Sequence, residues 1–213
     1  MNEKTPVDAV LLISTACPHC VKMLQVMCQW IKDASIGQLE VINIASAPAR
    51  AKEFGVRSVP WLRLGVFELG GAYTEGELRT WLQHAQSPQG MTYYFNSLLE
   101  NGHLDKVSQL IKMKPEYLHY LVTMIASPDT SMKVQLGMAA LFEEFSALDI
   151  LSSIVGELGT LSQHNSPSVR ADVAHYLALT GSKDAFPYLN QLIQDENLDV
   201  REIAAESLTI LNK

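Results

Sequence analysis

Two cysteines lie two residues apart at the point where the chain changes from one secondary-structure pattern to another. Val7 to Ile13 is a short apolar run that predicts a buried strand. Helical spacing of apolar residues begins at the pair Cys17 and Cys20, and Pro18 suits the first position of a helix. The order strand, Cys-x-x-Cys, helix therefore places Cys17 at a helix N-terminus, where free N–H groups favour an anion such as its own thiolate.

This helix carries an apolar stripe with a spacing of three or four residues. Its members are Cys17, Val21, Leu24, Cys28 and Ile31. Because an apolar stripe predicts the face that is turned to the core, we expect Cys28 to be a buried thiol. Gly37 is the expected stop of the helix.

The rest of the first 86 residues continues to alternate between strands and helices. We predict a strand at 39–44, a short helix at 49–54, a hairpin of 61–64 and 66–69, and a helix that the capping box of Thr74 and Glu77 opens. This order predicts a small α/β sheet with helices on both faces.

Residues 7–86 resemble a thioredoxin-fold domain of the minimal, glutaredoxin-sized form. The likeness rests on the Cys-Pro-His-Cys motif and on the segment 41–60, which is similar to the thioredoxin segment that ends in a cis-proline. The resemblance implies that Pro60 is cis and lies beside the two sulfurs, and that the Val59 main chain binds an extended substrate segment. Trp61 either enlarges this substrate-binding surface or packs into the hairpin, and both alternatives are open.

Disulfide exchange needs a thiolate, which a helix N-terminus, a nearby cation and a hydrogen bond each favour. We therefore predict that Cys17 is the catalytic nucleophile, that Cys20 resolves the mixed disulfide, and that Pro18 and His19 tune the pKa of Cys17. The Pro-His dipeptide resembles that of the periplasmic disulfide oxidases. No cofactor is expected beyond the reversible Cys17–Cys20 disulfide.

Two positions depart from the thioredoxin pattern. Leu11 stands where thioredoxins hold a buried acid, and Ala16 replaces the tryptophan before the first cysteine. The resemblance thus implies that the proton relay for Cys20 is absent or supplied elsewhere.

A metal site is not predicted at the cysteine pair. No second Cys-x-x-Cys is present, and Cys28 lies eight residues beyond Cys20, roughly 12 Å along a helix. An iron–sulfur cluster shared between two chains stays open but has no support in the sequence.

The second part of the chain is acidic and helical. Ser87-Pro88-Gln89-Gly90 breaks the pattern, which predicts a redox domain at 1–86, a linker at 87–90 and a helical domain at 91–213. Residues 1–86 carry 8 Lys+Arg and 8 Asp+Glu, whereas the remainder carries 8 Lys+Arg and 15 Asp+Glu. The net charge of −7 therefore belongs to the second part. An acidic surface argues against binding to nucleic acid or to an anionic membrane.

The helical part contains an internal repeat. Ser168-Val169-Arg170 with Ala174 and Leu177 returns as Asp199-Val200-Arg201 with Ala205 and Leu208, and Met132 begins a weaker third copy. The repeat resembles HEAT-type units, which implies an all-α solenoid that binds protein partners or serves as a scaffold.

The sequence therefore predicts a thiol–disulfide oxidoreductase whose helical domain recognises protein partners. The alternatives are a non-catalytic redox-sensing adaptor and a glutathione-linked enzyme of glutaredoxin type. The first residues have no secretory pattern and no apolar run is long enough to span a bilayer, so a cytoplasmic location is expected, or a periplasmic one if a signal has been trimmed. The substrate, the direction of electron flow and the oligomeric state are left open.

Overall fold

A computed structural model describes residues 7–127 and 130–212. The chain divides into two compact units, one that ends at Tyr94 and one that begins at Phe95. The predicted linker at 87–90 lies shortly before this division. Its assignment as a domain boundary stays a prediction.

The first unit is a small mixed sheet with helices. Its elements are β1 (Val7–Ile13), α1 (Pro18–Lys32), β2 (Ile36–Asn43), α2 (Pro48–Glu53), β3 (Trp61–Leu64), β4 (Phe67–Gly70) and α3 (Glu75–Ala85). The strand order is β2-β1-β3-β4, with β1 parallel to β2 and antiparallel to β3. This thioredoxin-like arrangement confirms the predicted α/β fold.

Alternation along β1 sends side chains to both faces of the sheet. Val10 and Leu12 pack with Trp61 and with Ala51 of α2 on one face. Leu11, which lies between them and is fully buried, points to the other face, where α1 packs against β2 and α3 against β3. Burial on both faces explains why β1 reads as a nearly continuous apolar run.

The boundary between the first helix and the second strand differs from the prediction. The helix ends at Lys32, and Ala34 makes the turn with a φ of 59°. The strand begins at Ile36, so Gly37 lies inside β2 and does not stop the helix. The turn closes earlier because the Ser35 main-chain N–H donates a hydrogen bond to the carboxylate of Asp33.

The second unit consists of helices joined by short turns. The division between the two units falls within α4 (Gly90–Glu100). The helices that follow are α5 (Leu104–Met113), α6 (Leu118–Ile125), α7 (Met132–Ser146), α8 (Val155–Leu161), α9 (Pro167–Leu179), α10 (Phe186–Leu192) and α11 (Leu198–Leu211). Three of these, α6, α8 and α10, are preceded by a 3₁₀ turn, at Pro115–Tyr117, Leu151–Ile154 and Lys183–Ala185. From α5 onward, alternate helices pack against each other: α5 contacts α7, α7 contacts α9 and α9 contacts α11. This is the stacking of a helical repeat.

Candidate redox site

Cys17 is the residue that caps the N-terminus of α1. Its backbone is extended, with φ −91° and ψ 109°, and Pro18 follows it at the start of the helix. The main-chain N–H of Cys20 donates to the sulfur of Cys17 at 3.2 Å. No acidic residue lies in the first turn of α1, so no carboxylate competes for the positive end of the helix.

The sulfur atoms of Cys17 and Cys20 form a disulfide, with their Cα atoms 5.4 Å apart. The two cysteines differ in access to solvent. Cys17 is half-buried, whereas Cys20 is only 2% exposed. A partner can therefore reach the sulfur of Cys17 more readily than that of Cys20.

The buried face of α1 is rotated from the predicted stripe. Its buried residues are Cys20, Met23, Met27 and Trp30. The predicted stripe lies beside them, with Val21 and Ile31 exposed. The prediction was wrong because α1 has two adjacent apolar stripes, and the one with the larger Met and Trp side chains buries more apolar surface.

Cys28 is exposed, so its prediction as a buried core thiol is also wrong. It belongs to the stripe that the rotation of α1 turns outward. It lies on the same helix as the disulfide and, of the three cysteines in the sequence, is the one outside it.

The Val59–Pro60 peptide bond is cis, as the resemblance implies. The carbonyl oxygen of Val59 lies 3.9 Å from the sulfur of Cys17. Pro60 is buried, and its carbonyl accepts a hydrogen bond of 2.9 Å from the N–H of Gly71. Two segments that are far apart in the sequence thus meet at the disulfide.

Val59 offers an unused main-chain group beside the disulfide. Among the described residues, its N–H donates no hydrogen bond, and its side chain is half-buried. A free main-chain edge of this kind can pair with an extended segment of another protein.

Trp61 belongs to the core and not to the surface. Its side chain is 7% exposed, and its ring lies 5.3 Å from that of Phe54. Because Leu12 is its partner across the strands, Trp61 shares the face that α2 covers. The structure thus shows the packing that was one of the two predicted alternatives, and a contribution of Trp61 to substrate binding stays a prediction.

The other predicted site residues lie at the exposed start of α1. Pro18 and His19 are both exposed. Leu11 is fully buried, so the position where thioredoxins hold an acid offers only hydrocarbon here. The effect of Pro18 and His19 on the pKa of Cys17 stays a prediction.

One contact that anchors the loop before Cys17 was not predicted from the sequence. The side-chain amide of Asn43 donates to the hydroxyl of Thr15 at 3.2 Å, and the N–H of Cys17 donates to the carbonyl of Ser14. Asn43 pairs with Ile13 in the parallel register of β1 and β2, so it stands at the end of the sheet where this loop begins. A polar residue at the end of a predicted strand was the available signal.

Among the described residues, no three His, Cys, Asp or Glu side chains converge as a metal site. None of the helices described is long and apolar enough to cross a membrane.

Comparison with protein families identifies two segments of the chain. Residues 9–83 match the family model of the thioredoxin domain, and residues 153–213 match that of HEAT repeats. The weaker repeat copy that begins at Met132 lies outside the second match. No curated protein sequence matches the chain. The chain thus combines a thioredoxin-like domain with a following HEAT-repeat segment.

Proposed function

We propose that this protein is a thiol–disulfide oxidoreductase that exchanges disulfides with protein partners through Cys17 and Cys20. The observation that carries the proposal is the position of the disulfide at the start of α1 in a thioredoxin-like domain, beside the main chain of Val59. This placement brings together a helix N-terminus, an accessible sulfur and a free main-chain edge.

The first step of the reaction is attack by the thiolate of Cys17 on a disulfide of the partner. A bond forms between Cys17 and one partner sulfur, and the other partner sulfur leaves as a thiolate that takes up a proton. The thiolate of Cys20 then attacks the sulfur of Cys17, which closes the Cys17–Cys20 disulfide and releases the second partner thiol. The partner gains two electrons and two protons; run in reverse, the same steps oxidise a dithiol.

The two cysteines take these roles because of their surroundings. The hydrogen bond from the Cys20 N–H and the N-terminal end of α1 both favour a negative charge on Cys17. Cys20 is buried one helical turn away, so it meets the mixed disulfide only after Cys17 has captured the partner.

A partner segment in extended conformation fits beside this site. The free N–H of Val59 and its carbonyl near Cys17 provide a donor and an acceptor for main-chain pairing. Such pairing would recognise backbone and would hold the partner cysteine over Cys17 without a dedicated side-chain pocket.

We assign partner recognition to the helical unit. HEAT repeats commonly mediate protein–protein interactions, and residues 153–213 match them. The adaptor hypothesis uses the same repeats but requires no turnover. It predicts that oxidation of the cysteines changes partner affinity, while the enzyme hypothesis predicts disulfide exchange with repeated turnover.

The test is the rate at which the protein reduces insulin with dithiothreitol as the electron donor, or oxidises a reduced model protein with oxidised glutathione as the electron acceptor. Cys17→Ser should abolish turnover, because Ser cannot form the mixed disulfide. Cys28→Ser is the matched control, since Cys28 is exposed on the same helix but outside the pair, and it should turn over like the unaltered chain. Equal rates for the unaltered chain and Cys17→Ser would refute catalysis.

A further inference from the structure

Arg170, near the N-terminus of α9, joins two successive turns of the helical unit. Its Nη1 donates to the carbonyls of His164 and Asn165 in the turn before α9, at 2.8 and 3.2 Å. Its Nε and Nη2 hold both oxygens of Asp195, at 2.7 and 2.8 Å, in the turn before α11. Both side chains of this pair are 9% exposed. A bidentate, mostly buried ion pair thus fixes α11 and its preceding turn on one side of α9.

Arg201 occupies the same position in the next copy of the repeat, near the N-terminus of α11. Its Nη1 donates to the carbonyls of Asp195 and Glu196, at 2.7 and 3.0 Å, which repeats the first half of the Arg170 pattern. The second half is missing. Within the part of the chain that the structure describes, Nε and Nη2 of Arg201 form no hydrogen bond.

The same contrast extends along the two helices. The residues on the Arg170 side of α9 are buried: Arg170, Ala174, Leu177 and Ala178. Their counterparts on α11 are exposed or half-buried: Arg201, Ala205, Leu208 and Thr209. Leu198, at the start of α11, is 56% exposed. We call these four counterparts and Leu198 the outer face of α11; Val200, Ala204 and Ser207 form its buried side.

We infer that the outer face of α11 binds a helical hairpin of a partner protein whose inter-helix turn supplies an Asp or Glu to Arg201. The inference rests on what covers the equivalent face of α9. That face is covered by α10 and α11, and the turn between them supplies Asp195 to Arg170. The outer face of α11 offers the same guanidinium edge and the same small residue one turn further on.

A second copy of this chain fits the outer face less well than another protein does. The acid that would serve Arg201 is the counterpart of Asp195, and in each copy Asp195 is already held by Arg170. The preceding repeat has His164 at the position that corresponds to Asp195. The partner must therefore bring its own carboxylate.

Flanking charges add a second feature to the partner. Glu202 and Glu206 are exposed on α11 beside the outer face. A hairpin that carries Lys or Arg next to its own contact residues would meet these carboxylates. The structure thus points to a partner hairpin with an acidic turn and a basic flank.

A tethered copy of the chain's own hairpin tests whether the outer face accepts such an occupant. Residues 182–212, one repeat with Asp195 in its turn, are appended directly after Asn212 of the full chain. The tether makes docking intramolecular, so no partner has to be identified first. We expect the appended residues to become helical by far-UV circular dichroism and the urea midpoint of the helical signal to rise.

Three variants in the extended chain distinguish the proposed docking from nonspecific association of the appended residues. Arg201→Gln, and equally Asp→Asn at the Asp195 position of the appended copy, should lower the docking equilibrium by about a hundredfold. Ala205→Arg should block docking by bulk and charge, yet leave the unextended chain unchanged because Ala205 is exposed. An appended copy that stays unfolded, or a gain that survives both charge variants, would overturn the inference.

Discussion

The ion pair of Arg170 and Asp195 should be a main source of stability in the helical unit, and Arg201 provides its matched control. Arg170→Gln removes two main-chain hydrogen bonds and the bidentate pair. Arg201→Gln removes two equivalent main-chain hydrogen bonds and no ion pair. The difference between the two variants therefore measures the ion pairs of Arg170, which are the bidentate pair with Asp195 and a longer contact of 3.4 Å with the exposed Glu196.

The expected magnitude follows from burial. With both side chains 9% exposed, breaking the pair leaves a poorly solvated carboxylate, which typically costs about 3–5 kcal/mol. The shared main-chain hydrogen bonds contribute about 1 kcal/mol in each variant. Because Asp195 keeps the hydrogen bond from the Asn197 N–H, we take the lower end of the range for the pair. We expect Arg170→Gln to lower the free energy of unfolding by about 4 kcal/mol and Arg201→Gln by about 1 kcal/mol.

Urea unfolding can follow the two units separately. The three tryptophans, Trp30, Trp61 and Trp81, all belong to the first unit, whereas far-UV circular dichroism is dominated by the helices of the second. At an m-value of about 2 kcal/mol/M, the midpoints of the two variants should differ by about 1.5 M in the dichroism signal. The tryptophan transition should stay where it is. Equal dichroism midpoints for both variants would mean that the ion pair does not stabilise the helical unit.

Three further predictions concern packing, pH and helix capping. A Cβ added at Gly159 would lie 2.3 Å from the ring of Tyr188, whereas one at Gly156 in the same helix meets nothing within 4 Å. Gly159→Ala should therefore lower the free energy of unfolding by about 1–3 kcal/mol through overpacking, and Gly156→Ala should raise it by up to about 1 kcal/mol. Both changes are read from the dichroism midpoint, and a rise for both variants would contradict this packing. The hydrogen bond from Arg170 holds the pKa of Asp195 below its ordinary value, so the contribution of the pair is complete above about pH 4 and is lost as the pH falls through the lowered pKa. Unfolding at a series of pH values should thus show the gap between the unaltered chain and Arg170→Gln narrowing in acid to the roughly 1 kcal/mol of the main-chain hydrogen bonds, and a gap that keeps its full size there would argue against the pair. Thr74→Ala removes the capping box of α3 and should cost about 1 kcal/mol in the tryptophan transition, which an unchanged midpoint would disprove.

The sequence predicted the position of the cysteine pair at the helix start because the signals for it are local. Pro18 at the first helical position and the apolar strand before it place Cys17 at the helix start, and the structure has Cys17 as the cap of α1. The capping box at Thr74 and Glu77 was likewise readable, since both partners lie within four residues.

The rotation of α1 was not predictable from spacing alone. Two adjacent stripes are both apolar, and only packing against the sheet decides between the face of Met23 and Met27 and the face of Val21 and Cys28. Trp61 shows the same limit, because its burial depends on its register with Leu12 across the sheet.

The repeat was visible in the sequence, but the contacts that its arginines form were not. The repeat spacing aligned Arg170 with Arg201 without showing that both bind the carbonyls of the preceding turn. The stacking of α9 and α11 brings Arg170 and Asp195 together from successive repeats. For this reason Arg170 has a carboxylate partner, whereas Arg201 has none among the described residues.

In the proposed reaction, Cys17 captures a partner disulfide and Cys20 releases the partner. This order can be tested by the mass of the Cys20→Ser variant after incubation with a disulfide-bonded protein under non-reducing conditions. We expect a stable mixed disulfide that maps to Cys17 and is absent from the double variant Cys17→Ser, Cys20→Ser. An adduct that maps to Cys28, or no adduct with the partner protein, would contradict it.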